Sequence, residues 1–95
     1  MISDDKNDKS IFRVEFIFEG RPLFKDSEST DADIENGEML ELKYNYVVMM
    51  NILKCLRENK IFFKDSIAVN DVSLFKDDKK VNSWKRYVIS YSTII

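Results

Sequence analysis

The chain of 95 residues has no histidine, one cysteine, one proline and two glycines. Each scarcity removes a class of chemistry. Without an imidazole there is no histidine to activate a serine or cysteine nucleophile, no histidine general base and no ordinary histidine-containing zinc site. The lone thiol, Cys55, forbids an intrachain disulfide and fits a reducing compartment. Gly20 and Gly37 are the two glycines, and at seventeen residues apart they cannot build a loop that cradles phosphate. No apolar run approaches the length of a membrane span. The opening Met1-Ile2-Ser3-Asp4-Asp5 lacks the basic and apolar regions of a signal peptide. The expectation is a protein without enzymatic activity, cofactor, metal or membrane contact, placed in the cytoplasm of its own or a host cell.

What the chain does have is apolar and aromatic mass. Hydrophobic residues make up 44% and aromatics 13%, which excludes disorder for the whole chain and suits one domain with a modest core. Residues 1–10 are nearly all polar and read as a flexible tail, leaving 11–95 as the domain. Charge is unevenly spread. Residues 26–41 carry seven acids and no base, whereas residues 42–95 carry ten bases against five acids. A small domain with an acidic stretch and a basic half has a polar surface rather than the uniform charge of a generic nucleic-acid binder.

Periodicity assigns the elements. Phe12, Val14, Phe16 and Phe18 alternate with polar residues, as a half-buried strand requires. Glu19-Gly20-Arg21-Pro22 breaks this run, and Leu23 and Phe24 return it as a hairpin over 12–24. Residues 25–38 read as loop. Leu40, Leu42, Tyr44 and Tyr46 alternate again and predict a strand over 38–46. From Val47 the period lengthens. Val48, Ile52, Cys55 and Leu56 lie on one helical face, and Asn51, Lys54 and Glu58 form a narrow polar stripe, so a mostly buried helix is expected over 47–58. Asn45 is the expected N-cap and Asn59 the stop. Cys55 falls on the core face as a buried, inert thiol. Short apolar runs follow at 61–63, 67–69 and 72–75, then a polar connection over 75–83 and a strand from Trp84 to the end. The fold class is α+β: a single small domain with a mainly antiparallel sheet and one central buried helix.

Residues 16–42 resemble the C-terminal half of the ubiquitin-like β-grasp family. The pattern is Phe16-Ile17-Phe18-x-Gly20-x-x-Leu23, then Ile34-Glu35-Asn36-Gly37-Glu38-x-Leu40-x-Leu42. The resemblance implies a strand–turn–strand unit with a second strand at Glu38–Leu42, and an adaptor role through the exposed strand residue Ile17. Its companions on the second strand would be the charged Glu41 and Lys43. The chain lacks the Gly-Gly ending of that family, so conjugation through a glycine tail is not expected.

Three surfaces are candidates for function. The first is the acidic stretch: Asp26, Glu28, Asp31, Asp33, Glu35, Glu38 and Glu41. If it is extended, alternate carboxylates stand about 6.6 Å apart, and two such segments could imitate a nucleic-acid backbone in the cleft of a basic, nucleic-acid-handling protein. Asp31, Asp33 and Glu35 also begin a calcium-loop pattern. It fails at Asn36, where that loop needs glycine, and at Leu42, where it needs glutamate. The second is the basic half, with Lys79, Lys80, Lys85 and Arg86 beside Trp84 and Tyr87. Cations beside aromatics hold single strands, but both aromatics also suit a half-buried strand, which is the preferred reading. The third is Ile17. The expected function is a small interaction protein that blocks or adapts a macromolecular partner, as viral and phage inhibitors do. The alternatives are a ubiquitin-like adaptor and a weak single-strand binder.

Overall fold

The computed structural model describes residues 9–30 and 37–94. Their elements are β1 (Lys9–Phe18), β2 (Arg21–Thr30), α1 (Gly37–Glu58), β3 (Ser66–Lys76), β4 (Lys79–Ser90) and the short α2 (Tyr91–Ile94). The four strands form one antiparallel sheet in the order β2-β1-β3-β4. This is the expected α+β class. β2 and β3 flank β1 and both oppose it, so they run parallel, and α1 carries the chain across β1 between them.

Two tight turns set the strand register. Glu19 and Gly20 join β1 to β2 with φ of 50° and 81°, and Asp77 and Asp78 join β3 to β4 with φ of 50° and 70°. Positive φ at both central residues matches the right-handed twist of the flanking strands. The Asp77 turn is fastened to β1 as well. Its N–H donates to the Ile11 carbonyl at 2.8 Å, and Ile11 N–H donates to Asp77 Oδ1 at 2.9 Å.

Alternation along β1 selects the core. Phe12, Val14 and Phe16 point to the helix side and are buried there with Val69, Val72 and Leu74 from β3 and Ile89 from β4. Val69 and Val72 share this face although three residues apart. Asp71 between them has φ of 50°, and the β1–β3 register shifts there. The helix contributes Val47, Val48, Ile52, Cys55 and Leu56. Trp84 and Tyr87 meet edge to face at 5.6 Å and pack against the same cluster, so the core reading of these aromatics holds. Tyr87 Oη donates to the Asn45 carbonyl at 3.2 Å and ties β4 to the helix.

The helix ends in a hydrogen-bonded cap. Ile61 N–H donates to the Leu56 carbonyl at 2.9 Å and Lys60 N–H to the Arg57 carbonyl at 3.0 Å, with Lys60 left-handed at φ 60°. That is the Schellman arrangement, with lysine where glycine is usual. Asn59 adds a side-chain bond from Nδ2 to the Cys55 carbonyl at 2.8 Å, in keeping with its expected role as the stop.

Several boundaries differ from the sequence reading. The strand expected over 38–46 is helix, and α1 starts ten residues earlier than 47, at Gly37. The alternating run is two helical stripes interleaved. Tyr44 and Val48 turn inward, while Leu42 and Tyr46 turn out to solvent. Asn45 is therefore inside the helix and not its cap. The Glu38–Leu42 strand implied by the β-grasp resemblance lies in this helix too. Asn51, expected on a solvated stripe, is buried and donates to the Lys25 carbonyl at 3.2 Å. Residues 25–30 extend β2 instead of forming loop, since the turn at Glu19-Gly20 lets every β1 residue find a partner. The connection read over 75–83 is a tight hairpin, and the last strand stops at Ser90. Lys9 and Ser10 belong to β1, with Ser10 buried, so the domain starts before residue 11.

Two stability predictions follow from this packing. Ile52→Ala and Leu56→Ala each remove a side chain no more than 1% exposed and should destabilise the fold by about 2–5 kcal/mol, read by denaturant unfolding. Lys60→Gly relieves a left-handed lysine and should stabilise by about 1 kcal/mol in the same measurement; a loss of stability would show that the lysine side chain outweighs the backbone strain.

Candidate functional site

The face of the sheet opposite α1 is covered by no other described element. The hairpin registers lay out what it carries. One row crosses all four strands as Asp26, Arg13, Phe75 and Lys80, and its neighbours are Phe24, Glu15, Ser73 and Ser83. Ile11 and Glu28 lie on one side of these rows, and Ile17, Asn70, Arg86 and Val88 on the other. Ile11, Phe24 and Val88 are large apolar residues left in solvent, Phe24 with 56% of its surface exposed.

Arg13 is the hub. Its Nε donates to Asp26 Oδ1 at 2.8 Å and Nη2 to Oδ2 at 3.3 Å, a two-point grip on one carboxylate. Nη1 stands 3.6 Å from Glu15 Oε2. The guanidinium also lies 4.2 Å from the centre of the Phe24 ring, within range of a cation–π contact. Register causes this cluster. The turn at Glu19-Gly20 puts Arg13 opposite Asp26 and Glu15 opposite Phe24, and the alternation of strands puts all four on the solvent face. The hydrogen bonds from Arg13 hold the Asp26 carboxyl below its usual range. Arginine and aromatic side chains are enriched at protein interfaces, and a pair already held in one arrangement has less side-chain freedom to lose on binding.

The acidic stretch divides between elements. Asp26 and Glu28 lie on β2, on the open face, where their alternation is indeed that of an extended strand. Both are ion-paired: Asp26 with Arg13, and Glu28 with Lys9 at 3.8 Å. Glu38 and Glu41 belong to α1, Glu41 being exposed there. Asp31, Asp33 and Glu35 lie outside the described residues. Ile17 is half-buried beside Pro22 and Asn70.

The basic residues divide as well. Lys80 and Arg86 share the open face with Phe75, while Trp84 and Tyr87 turn to the core on the other side. Lys79 flanks the Asp77-Asp78 turn, and Lys85 lines a shallow depression with Asp71 and Trp84. Bases and aromatics adjacent in sequence are thus separated by the sheet. Among the described residues no three His, Cys, Asp or Glu side chains come together as metal ligands, and no helix is long and apolar enough to cross a membrane. Cys55 is buried, its Sγ 3.5 Å from the Phe24 carbonyl, and burial pushes its thiol pKa up.

Sequence reasoning did not reach Arg13, Phe24, Ile11 or Val88. The signal was available. A two-residue turn at Glu19-Gly20 pairs residues whose numbers sum to 39, and extending that rule past Phe24 brings Asp26 to Arg13. Comparison with protein-family models, with curated proteins and with solved structures returns no match.

The Arg13–Asp26 pair makes a pH prediction. The folded-state pKa of Asp26 is depressed, so its contribution to stability is present above the unfolded carboxylate value and is lost as pH falls through the lower, folded one. Asp26→Asn should unfold more readily than the wild type at neutral pH, by the small amount typical of an exposed pair. The gap between the two proteins should close as pH drops below the ordinary value of 3.8. A gap that persists in acid would mean that Asp26 acts through contacts other than its charge.

Proposed function

We propose that the chain is a small, non-enzymatic interaction protein that occupies a surface of another protein and so blocks or adapts it, in the cytoplasm of its own or a host cell. One observation carries the reading: an uncovered four-stranded face on which exposed Phe24 is held against Arg13. Ile11, Phe24 and Val88 are a dispersed group of exposed apolar side chains on this face, which a partner lying across the sheet would cover. The charge around that group favours a protein over nucleic acid. Glu15, Asp26 and Glu28 line the β2 side and occupy Arg13 and Lys9, which leaves little positive charge there for phosphate. Lys80 and Arg86 on the β4 side suit carboxylates, so the partner surface should be acidic towards β4.

Nucleic-acid mimicry by the acidic stretch is a narrower form of the same reading. It is less well supported, because Asp26 and Glu28 already have cationic partners. A ubiquitin-like adaptor would use the same open strand face around Ile17.

Affinity capture with the intact protein tests the proposal. The wild type should retain a partner that the combined variant Ile11→Ser, Phe24→Ser, Val88→Ser does not, with far-ultraviolet circular dichroism unchanged. Retention of that partner by the variant would place the binding surface elsewhere. If the variant behaves as expected, a separate triple change of Asp31, Asp33 and Glu35 to Asn, Asn and Gln decides whether the acidic stretch also contributes. A lower association rate that salt suppresses in the wild type would show that it does.

A further inference from the structure

The helix side of the molecule carries a second apolar surface, separate from the open sheet face. Leu42, Tyr46, Met50 and Leu53 follow one another along α1 at steps of four, four and three, which is one stripe of a helix. Its N-terminal half faces solvent, Leu42 and Tyr46 being 61% and 60% exposed, while Met50 and Leu53 are half-buried and Leu53 also packs against the core. It spans about 16 Å, from a rise of about 1.5 Å per residue. At its C-terminal end it enters a groove of about 470 Å³ between α1, the connection after it and Tyr91.

The far wall of the groove is fixed. Phe63 and Tyr91 stack with ring centres 5.3 Å apart, and Tyr91 Oη donates to the Phe63 carbonyl at 2.5 Å. Phe62 at the rim is 76% exposed, more than any other large apolar residue described. Lys54 and Arg57 line the groove, and Lys60 and Lys64 flank it in sequence. None of these four cations forms an ion pair with a described residue. The nearby Glu58 is taken by Lys25 at 2.6 Å, which leaves Asp65 as the other carboxylate of the segment.

We propose that this groove receives an acidic amphipathic helix of a partner protein, about three turns long. Its apolar side chains would lie along Leu42, Tyr46 and Leu53 and beneath Phe62, with carboxylates against Lys54 and Arg57. The length follows from the stripe, and the sign of charge from cations without partners around an apolar floor. Met50 gives the floor an unbranched side chain that adapts to what it meets. The proposal is independent of the open sheet face.

The test uses the intact, isotope-labelled protein and a synthetic peptide of about fifteen residues, a length at which helix can form. Leucine and phenylalanine stand at helical spacing in it and glutamate on the flanks; a second peptide carries lysine in place of each glutamate. The glutamate peptide should shift the amide resonances of residues 50–63 and Tyr91 and bind more tightly than the lysine peptide. Lys54→Glu combined with Arg57→Glu should weaken the glutamate peptide by roughly tenfold, the size of two exposed charge pairs, and reverse the preference without changing the melting temperature. Equal binding of both peptides, binding of neither, or shifts confined to the open sheet face would overturn the proposal. So would a concentration-dependent dimer abolished by Phe62→Asp, which would assign the groove to a second copy of the chain. Binding of phosphatidylserine vesicles lost in the same variant would assign it to a lipid surface and overturn the proposal equally.

Discussion

The constraint that shapes this molecule is one helix set against four strands. Four strands span about 19 Å at about 4.8 Å each, while a helix with its side chains is about 10 Å wide. One helix therefore covers roughly half of one face. α1 rests over β1 and β2, and the rest of its side is closed by large side chains from the sheet and the connection: Trp84, Tyr87, Ile61 and Phe63. These residues are only partly buried, because each has protein on one flank and solvent on the other. The opposite face receives no described element at all. Two regions of incomplete cover are thus a consequence of the topology, and both carry the exposed apolar residues discussed above.

Charge is managed locally before it is available to a partner. The sequence presents Asp26 and Glu28 as part of an uninterrupted acidic run, but strand pairing sets each beside a base thirteen to nineteen positions away in the chain. A tight turn fixes the register, the register fixes the pairs, and the pairs cancel charge that composition alone would assign to the surface. The same logic isolates the cations at the end of α1. Lys25 reaches Glu58, which removes the nearest acid and leaves Lys54 and Arg57 without one. Unequal pairing, more than net charge, makes one surface mixed in sign and the other basic.

The β1 strand, the first turn and the helix from Val47 to Glu58 could be read from residue pattern because burial there is one-sided. Phe12, Val14 and Phe16 are buried and their neighbours are not. The pattern misleads at 38–46 for a physical reason. A helix with one apolar face shows a period near 3.6, but a helix with a second apolar stripe pointing to solvent shows something close to alternation. Leu42 and Tyr46 supply that second stripe. Asn51 erred in the opposite direction: its polarity suggests solvent, yet its amide is buried to bond the Lys25 backbone of an edge strand. The open-face cluster was hidden because Arg13, Phe24 and Asp26 mean little apart, and only the register brings them together.

These two departures from pattern have different costs and so different meanings. Asn51 satisfies a strand carbonyl, and Cys55 one turn later lies against the adjacent one, so together they tie the helix to the β2 backbone at two neighbouring residues. That is a structural return for a buried polar group. Leu42, Tyr46 and Phe62 have no comparable return inside the described fold. Their surfaces stay in water, where each gives up the roughly 1.5–3 kcal/mol that burial of a large apolar side chain contributes. Scattered singly, such residues would need no explanation. Here the helical spacing aligns Leu42 and Tyr46 with a groove that ends at Phe62 and is bordered by cations without partners. The missing stabilisation is then available to whatever covers the stripe, and because the sheet lies between them, covering it leaves the Arg13–Phe24 face free for a second partner.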